Sequence, residues 1–458
     1  MKVIVCGAGQ VGSSIVRHLV AENNDVTVID QSAELIKRIG ESMDVKAMEG
    51  FASHPDDLEA AGAADADMII AVTYADEVNM VACQVAHSLF EVPTKIARVR
   101  HQSYLQPIWA DLFSRDHMPI DVIISPEVEV GRAISRRLHA PGAFDSLPLA
   151  DGLVQLLGVR CTDDCPIVDT PLSQLSELFP DLHLTIVGIV RNGKGFLPTS
   201  SEHMLLNDEV YFVADSKHVA RVMAAFGHEE PEARRVIILG GGNIGCYLAR
   251  EIEQHHPGVS AKIIEFDRAR AEYAANMLER TVVIHGDALD PEILDEANVS
   301  VAEAVVAVTN EDEVNILASL LAKRYGSQKA MTLINNTTYS PLVTTLGIDV
   351  VVSPRAITVS TILQHIRRGR IRAAYAVHDG FAEVMEAEAM ESSDLVGAPL
   401  REVKLPAGLI IGALVRDGEV IMPRGDTVVR TDDRVVLFAK TESIKQVERM
   451  FAVSLEFF

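Results

Sequence analysis

Short apolar runs alternate with longer amphipathic segments from Lys2 to Leu138. Runs rich in Val, Ile and Ala predict strands at KVIVCG, DVTVID, DMIIAVT, TKIARVR and IDVIIS. Between them, apolar residues recur at helical spacing in QVGSSIVRHLVAEN and EVNMVACQVAHSLF, and again in EVEVGRAISRRL after Pro126. This alternation is typical of a parallel sheet covered by helices.

The pattern changes between Phe144 and Phe226. Strands are predicted at LTIVGIVR and DEVYFVA, a short helix after Pro171, and a closing helix at KHVARVMAAF. This second segment therefore reads as a small α+β lobe.

The chain repeats this plan. VIVCGAGQVG from Val3 returns as VIILGGGNIG from Val236, and AVTYADEVNM from Ala71 returns as AVTNEDEVNI from Ala307. IDVIISP from Ile120 returns as IDVVVSP, in the same order and at nearly constant spacing. The predicted fold class is α/β: two tandem Rossmann-like parallel-sheet lobes, each followed by a small α+β lobe. The expected domains are residues 1–140, 141–227, 232–370 and 371–458, and the halves join at the charged segment GHEEPEARR around Pro231.

Composition narrows the classes of partner. The net charge of −24 argues against nucleic acid and against an anionic membrane surface, since both attract basic proteins. No run approaches the ~20 apolar residues of a membrane span, so a role at a membrane requires a partner protein. The five cysteines are scattered, which fits a reducing cytosol. Cys161 and Cys165 have no second pair to complete a zinc set, so no metal is expected.

Two glycine loops carry the candidate chemistry. Gly7, Gly9 and Gly12 show the GxGxxG spacing between a strand and a helix, with Asp30 ending the next strand. The second copy has Gly240, Gly242 and Gly245, followed by Glu265. In this arrangement a pyrophosphate lies on the helix N-terminus and the acid accepts hydrogen bonds from ribose hydroxyls. An acid at this position favours NAD or adenosine over NADP. The alternative is a nucleotide fold that has lost its ligand.

Polar residues follow the strand that is predicted to end in each copy of the repeated AVT…DEVN phrase. Thr73 and Thr309 end it at the carboxyl edge of the sheet, beside the expected ligand, and Asp76, Glu77 and Asn79 begin the next helix. The DEVN segment is either functional or simply a capped, solvated helix start. Arg98 and Arg100 are expected on one face of a strand, where they suit a phosphate or form a surface ion pair.

These motifs resemble the regulator-of-potassium-conductance (RCK, or KTN) family, and the duplicated form resembles the peripheral regulatory subunits of bacterial Trk potassium-uptake systems. The resemblance covers essentially the whole chain. It implies a cytoplasmic protein that forms a tetrameric ring beneath a transmembrane potassium-transport subunit of the TrkH/TrkG type. It also implies binding of NAD(H) and of ATP or ADP, which shifts the ring and gates the partner.

Residues of the two expected sites follow from the same resemblance. The first site comprises Gly7, Ala8, Gly9, Gln10, Val11, Gly12, Asp30, Thr73, Tyr74, Arg98 and Arg100. The second comprises Gly240, Gly241, Gly242, Asn243, Ile244, Gly245, Glu265, Asp287 and Thr309. Phe51 takes the position of Asp287 in the first half, so an equivalent polar contact is in doubt there.

The alternative class is a nicotinamide-dependent oxidoreductase. Such an enzyme needs a general acid or base beside the nicotinamide, and no histidine occupies matched positions in both halves. The expectation is therefore a non-enzymatic regulator. The second half has KAMTLINN where the first has Arg98 and Arg100. We therefore expect only the first site to have extra positive charge, unless a neighbouring subunit supplies it, and to discriminate ATP from ADP. The second site should treat ATP and ADP alike or prefer NAD(H).

Overall fold

The computed structural model describes residues 1–179, 182–230, 232–336, 338–366 and 371–451. These form two compact units. Unit 1 holds Met1–Val130 together with Pro354–Ile366, and unit 2 holds the described residues of 131–353 and 371–451. Pro231 of the expected linker, the expected domain end at residue 370 and the last seven residues, 452–458, lie outside the described ranges.

A parallel sheet with helices between its strands forms the first lobe. Its elements are β1 (Lys2–Cys6), α1 (Gln10–Ala21), β2 (Asp25–Asp30), α2 (Ala33–Ser42), β3 (Lys46–Glu49), α3 (Pro55–Ala60), β4 (Met68–Ala71), α4 (Asp76–Phe90), β5 (Thr94–Arg98) and β6 (Val122–Ile124), followed by α5 (Pro126–Leu138). The strand order is β3-β2-β1-β4-β5-β6, the arrangement of dinucleotide-binding folds. The carboxyl ends of β1 and β4 lie side by side at the point where the strand order reverses.

An antiparallel sheet forms the first small lobe. Its elements are β7 (Ala143–Leu149), β8 (Val154–Arg160), α6 (Leu172–Leu178), β9 (Leu184–Arg191), β10 (Lys194–Phe196), β11 (Glu209–Asp215) and α7 (Val219–Ala225). The strand order is β10-β9-β11-β8-β7. The helices predicted after Pro171 and near the end of the lobe are both present, so the expected α+β lobe is confirmed.

The second half repeats both sheets. Its parallel lobe contains β12 (Arg235–Leu239), α8 (Asn243–His255), β13 (Ser260–Glu265), α9 (Arg268–Met277), β14 (Val282–His285), α10 (Pro291–Ala297), β15 (Ala304–Ala307), α11 (Asp312–Arg324), β16 (Lys329–Leu333), α12 (Ser340–Thr345), β17 (Val350–Val352) and α13 (Pro354–Gln364). Its small lobe contains β18 (Ile371–Val377), β19 (Ala382–Glu388), β20 (Leu409–Arg416), β21 (Glu419–Ile421), β22 (Arg434–Lys440) and α14 (Ile444–Met450). The orders β14-β13-β12-β15-β16-β17 and β18-β19-β22-β20-β21 match those of the first half. The predicted α/β duplication is confirmed.

Helix α13 packs on the parallel sheet of the first half. Val359, Ile362 and Leu363 are buried in one apolar cluster with Val3 of β1 and Ile15 of α1. The cluster is built from β-branched residues of the strands and from the apolar face of α1, which is the face that a covering helix must fill. A helix that follows the second parallel sheet in the sequence thus completes the core of the first.

The central strands of the first parallel sheet are buried. In β1 every residue after Lys2 is buried, and β4 is buried throughout, as expected for central strands of a parallel sheet. No helix in the described part of the chain is both long enough and apolar enough to cross a bilayer.

Candidate nucleotide-binding sites

The first glycine loop is shaped by two steric constraints. Gly7 has φ of +110°, a conformation that favours glycine, and a Cβ on Gly12 would lie 1.8 Å from the carbonyl oxygen of Gly7. Gly12 therefore allows α1 to start against the loop. Gly9 is different, because a Cβ there would meet no atom within 4 Å. The loop thus leaves open space above Gly9, at the N-terminus of α1.

That helix N-terminus has no internal cap. Gly9 is the N-cap residue of α1, and no side chain in the described part of the chain is seen to cap the first turn. The amides of the first turn lack partners within the helix and carry its positive dipole end. Gln10 is exposed and Val11 is half-buried at this end. The arrangement can therefore receive an anionic group such as a pyrophosphate.

Asp30 lies against this loop at the end of β2. Its Oδ2 accepts a hydrogen bond from the amide of Ala8 at 2.6 Å, and its Oδ1 accepts one from the amide of Ser32 at 2.8 Å. The carboxylate is half-buried. Asp30 therefore holds the loop in place, and a ribose hydroxyl would use its remaining lone pairs.

The second loop reproduces this geometry. Gly240 has φ of +112°, and a Cβ on Gly245 would lie 2.0 Å from the carbonyl oxygen of Gly240. A Cβ on Gly242, the uncapped N-cap of α8, would meet nothing within 4 Å. Glu265 accepts hydrogen bonds from the amide of Gly241 at 2.5 Å and from the amide of Asp267 at 2.8 Å. Asn243 is exposed and Ile244 is half-buried at the start of α8.

The repeated AVT…DEVN phrase forms a clamp between strand ends. The side-chain oxygen of the buried Asn79 accepts hydrogen bonds from the amide and the hydroxyl of Thr73, at 2.8 and 2.7 Å. The Asn79 amide group donates to the carbonyl of Thr73 at 3.2 Å and to that of Arg98 at 2.9 Å. The end of β4 is thereby tied to the end of β5. The amide and the hydroxyl proton of Thr73 are both engaged by Asn79.

The clamp is identical in the second half. Asn315 accepts from the amide and hydroxyl of Thr309 at 2.9 and 2.7 Å, and it donates to the carbonyl of Leu333 at 3.1 Å. In the first half, Asp76 also accepts hydrogen bonds from the amides of Arg100 and His101, at 2.9 and 2.8 Å, and so ties the start of α4 to the segment after β5. The phrase is repeated because it holds the carboxyl edge of each sheet together.

Arg98 and Arg100 do not share a strand face, which corrects the sequence-based expectation. Strand β5 ends at Arg98, so Arg100 lies beyond it. The exposed Arg100 pairs with the buried carboxylate of Glu127 at 3.0 Å. Arg98 instead turns back toward β4 and donates through Nη2 to the carbonyl of Thr73 at 2.7 Å.

Arg98 retains an unused donor. Its Nε is buried and has no hydrogen-bond partner in the described part of the chain. Burial, with the nearby Arg100 guanidinium, lowers the pKa of Arg98. A buried guanidinium with an unsatisfied N–H favours an anionic oxygen. Among the two arginines, Arg98 is therefore the one placed to meet a ligand.

The second site also has a cation, Arg270, which sequence reasoning missed. Its Nη2 donates to the carbonyl of Gly241 at 3.2 Å and to Oδ1 of Asn243 at 3.4 Å. The expectation that only the first site has extra positive charge is therefore wrong. The signal was present in EFDRARAE, where Arg270 lies one helical turn beyond the N-cap Asp267. Leu35 takes this position in the first half.

The remaining expected residues lie at the periphery. Tyr74 is 86% exposed, just beyond Thr73. Asp287 is exposed and accepts a hydrogen bond from the amide of Leu289 at 2.8 Å. Phe51 is 53% exposed and stacks on His54. The structure thus brings together the glycine loops, the acids and the threonines, and adds Arg98 to the first site and Arg270 to the second.

All five cysteines are buried and free of disulfide bonds. The described residues contain no group of three or more His, Cys, Asp or Glu side chains placed to hold a metal ion.

Two uncapped glycine loops on parallel sheets of this order, each sheet followed by a small antiparallel lobe, define a tandem protein of the dinucleotide-fold class. The TrkA-N domain family matches residues 3–126 and 236–354, and the TrkA-C domain family matches residues 156–227 and 384–452. The chain belongs to the TrkA family.

Full-length relatives agree with this assignment. A protein of Azorhizobium caulinodans named Trk system potassium uptake protein TrkA is 54% identical over 458 residues, covering 100% of both chains. Proteins of the same name from Halomonas elongata and Vibrio alginolyticus are 42% and 41% identical and cover at least 99% of both chains. The names describe potassium-uptake proteins rather than oxidoreductases, so the prediction of a non-enzymatic protein is confirmed.

Solved structures share the fold. The crystal structure of the GsuK RCK domain matches with a TM-score of 0.60 at 19% identity, covering 98% of this chain and 94% of that one. The GsuK channel bound to NAD matches with a TM-score of 0.60 at 19% identity, covering 98% and 79%. The predicted RCK-type architecture is confirmed.

Proposed function

We propose that this chain is a regulatory subunit that binds NAD(H) and adenine nucleotides at its two glycine loops and thereby gates a transmembrane potassium-transport partner. The observation that carries the proposal is the pair of uncapped helix N-termini, each beside open space and an acid. Membership of the TrkA family gives potassium uptake as the process. NAD binding by a GsuK channel of the same fold supports the choice of ligand.

Each site residue has a distinct role in this proposal. The first-turn amides of α1 and α8 would hold a pyrophosphate, and Asp30 and Glu265 would accept hydrogen bonds from ribose hydroxyls. Arg98 and Arg270 would each meet a phosphate oxygen. Thr73 and Thr309 would line the sites without donating to the ligand, because their amides and hydroxyls already bond to the clamp asparagines.

Gating follows from differential affinity. A ligand shifts a conformational equilibrium only by binding one state more tightly than the other. Coupling of ~1–3 kcal/mol is typical and corresponds to a change of roughly 5–150-fold in affinity. Because Asp30 and Glu265 bond the loop amides, a ribose hydroxyl that binds to the remaining lone pairs of these carboxylates would be coupled to how each loop is held.

The proposed assembly is a tetrameric ring attached through its partner to the inner face of the membrane. The proposed domains are residues 1–140, 141–227, 232–370 and 371–458. A partner of the TrkH/TrkG type would supply the ion pathway, and this chain would remain in the cytoplasm when expressed alone. Light scattering after gel filtration, with and without the partner, measures the oligomeric state.

Ion flux tests the function. The chain would be reconstituted with its co-purified membrane subunit in liposomes, and potassium flux measured with NAD, NADH, ATP and ADP. We expect at least one nucleotide to change flux, and Gly9→Asp with Gly242→Asp to abolish the response. Flux that depends on this chain but ignores every nucleotide would refute the nucleotide part of the proposal.

A further inference from the structure

A cavity of about 290 Å³ lies in unit 2, away from both glycine loops. Ala304, Lys329 and Val350 line it, and each is the first residue of its strand, β15, β16 or β17. The cavity is therefore at the amino edge of the second parallel sheet, whereas the second glycine loop follows the carboxyl end of β12. Its volume is near the lower end of small-molecule sites, which begin at roughly 300 Å³.

Lys329 places a cation without a counter-ion in this cavity. Its ammonium donates to the carbonyls of Arg137 and Ala143, at 3.4 and 3.1 Å, and no carboxylate in the described part of the chain pairs with it. Burial lowers the pKa of Lys329 to about 8, and this effect outweighs the opposing charge of Asp349. A buried ammonium that bonds only to carbonyls has capacity for a negative ligand.

His228 adds an unused polar atom on another wall. Its Nδ1 lies 3.2 Å from a carboxylate oxygen of Glu230. Its Nε2 is buried and has no hydrogen-bond partner in the described part of the chain. An Nε2–H in this position would be available to donate to an anionic ligand.

The other charged groups that line the cavity are already paired. Glu303 bonds to Arg235, Asp349 bonds to Lys323 and the amide of Ala330, and Arg160 bonds to Glu209. Arg137, which lies close to Lys329, is paired with Asp145 at 2.7 Å. The cavity is also lined by the apolar side chains of Leu138, Phe144 and Ile348. Lys329 and His228 are therefore the groups left to recognise a ligand, and the ligand they suit is anionic with an apolar part.

We propose that this cavity binds a small organic carboxylate, whose anionic group lies between Nζ of Lys329 and Nε2 of His228 while its short apolar body contacts Phe144 and Ile348. The first parallel lobe lacks the equivalent lysine. Lys329 begins β16, whereas Thr94 begins the corresponding strand β5. The ligand would join the second parallel sheet to the start of the first small lobe and to the segment that follows Gly227.

Binding to the full chain would be measured by calorimetry with butyrate as the probe. Butyramide is the neutral control of the same shape, and chloride and inorganic phosphate at equal ionic strength test for simple anion binding. We expect butyrate to bind and butyramide not to bind. Because Lys329 must be charged, the affinity should fall about tenfold for each pH unit above about 8. Equal binding of chloride, phosphate and butyrate would overturn the proposal, as would a flat pH profile.

Substitutions of the residues that line the cavity test whether butyrate binds there. Lys329→Met should weaken butyrate binding at least ~tenfold, the usual effect of losing a charge-assisted hydrogen bond. Lys262→Met is the matched control, because Lys262 is also a half-buried lysine that bonds a carbonyl at a helix end, that of Ala297 at 2.9 Å. His228→Phe, which keeps a ring but removes its N–H donors, provides a second test should Lys329→Met fail to fold. Unchanged affinity in His228→Phe, or an equal loss in Lys262→Met, would contradict the proposed site.

Discussion

The carboxylate of Asp30 bonds to the amide of Ala8 at 2.6 Å, so the acid expected to meet a ribose also fixes the glycine loop that it faces. Glu265 and Gly241 repeat the relationship in the second half. Glu265 is one carbon longer than Asp30, and it bonds to the equivalent amide of Gly241, a residue with no side chain to obstruct it. Ligand recognition and loop geometry are therefore coupled in both halves, and a mutation of either acid changes both.

Replacing Asp30 should separate these two effects. Asp30→Ala should weaken NAD(H) binding at the first site by roughly ten- to hundred-fold, because charge-assisted hydrogen bonds are worth about 1.5–3 kcal/mol. It should also lower the melting temperature, because the amides of Ala8 and Ser32 lose their acceptor. Asp30→Asn keeps an acceptor oxygen and should lose affinity with a smaller change in melting temperature.

Calorimetry for this test would use a Gly242→Asp background, in which the second loop is blocked. Glu265→Ala, made with the second loop already blocked, is the control and should leave first-site affinity unchanged. Unaltered NAD(H) affinity in both Asp30 variants would show that the acid serves the loop alone.

Two glycines of the first loop should respond in opposite ways to a side chain. Gly9→Asp places a carboxylate in open space at the N-cap of α1, where it should add about a few tenths of a kcal/mol of stability as a cap while repelling a phosphate. Gly12→Ala should instead destabilise the lobe, because its Cβ would lie 1.8 Å from the carbonyl oxygen of Gly7. Thermal melts and nucleotide titrations of the two variants measure both effects. A destabilised Gly9→Asp protein would contradict the open geometry of the loop.

Arg98, rather than Arg100, should control the choice between ATP and ADP at the first site. Its unused Nε can meet an added phosphate, whereas Arg100 is occupied by Glu127. In a Gly242→Asp background, Arg98→Gln should reduce any ATP-to-ADP affinity ratio about tenfold toward one. Arg100→Gln is the matched control and should leave the ratio unchanged. If the ATP-to-ADP affinity ratio falls in Arg100→Gln but not in Arg98→Gln, Arg100 rather than Arg98 would be the residue that controls the choice.

Arg270 should contribute to anion binding at the second site. With the first loop blocked by Gly9→Asp, Arg270→Leu installs the residue found in the first half and should weaken nucleotide binding by roughly tenfold. Arg268→Leu is the control, because the Arg268 side chain is exposed and pairs with Glu272 on the same helix. Equal losses in the two variants would indicate a general effect of net charge.

The stacked rings of His139 and His256 should make unit 2 sensitive to acid. Their centroids are 3.7 Å apart, and burial first, then His139, lowers the pKa of His256 below its usual value of 6.5. Ser135, Glu251, His255 and Glu232 also lie near this ring. Since the unfolded chain binds the proton more readily, stability is present above pH ~6.5 and is lost as pH falls toward the lowered pKa.

Melting curves from about pH 7.5 to 5 measure this loss. His256→Gln should flatten the dependence, while His255→Gln, at an exposed ring paired with Glu251, should not. A wild-type melting temperature that rises toward pH 5 would exclude the stacked, half-buried pair as the cause.

The parallel sheets were predictable because short buried strands leave a strong signal. The apolar runs at Lys2–Cys6 and Met68–Ala71 are unbroken. Gly12 occupies the last position of the GxGxxG pattern, where the close approach of α1 to Gly7 requires a glycine. The roles of Asn79 and Arg270 were not predictable in the same way. Asn79 opens a helix beside two acids, a pattern that suits a solvated cap equally well, and only the fold shows that it bonds β4 to β5.

The direction of side chains beyond the end of a strand could not be predicted from the sequence either. Alternation along a strand places residues two apart on one face, which led to the expectation for Arg98 and Arg100. The rule stops where the strand stops, and β5 ends at Arg98. The packing of α13 on β1 and α1 likewise has no local signature, because its apolar face suits either parallel sheet.

The position of α13 sets an order for synthesis and folding. A ribosome makes Val3 and Ile15 early, but their neighbours Val359, Ile362 and Leu363 emerge only after the second parallel sheet has been translated. Until then the first lobe exposes an apolar groove to solvent. A fragment cut at the repeat boundary would carry a full set of strands and still lack part of its core. Although the gene was duplicated, its two halves are no longer separable products, and the first becomes complete only near the end of the chain.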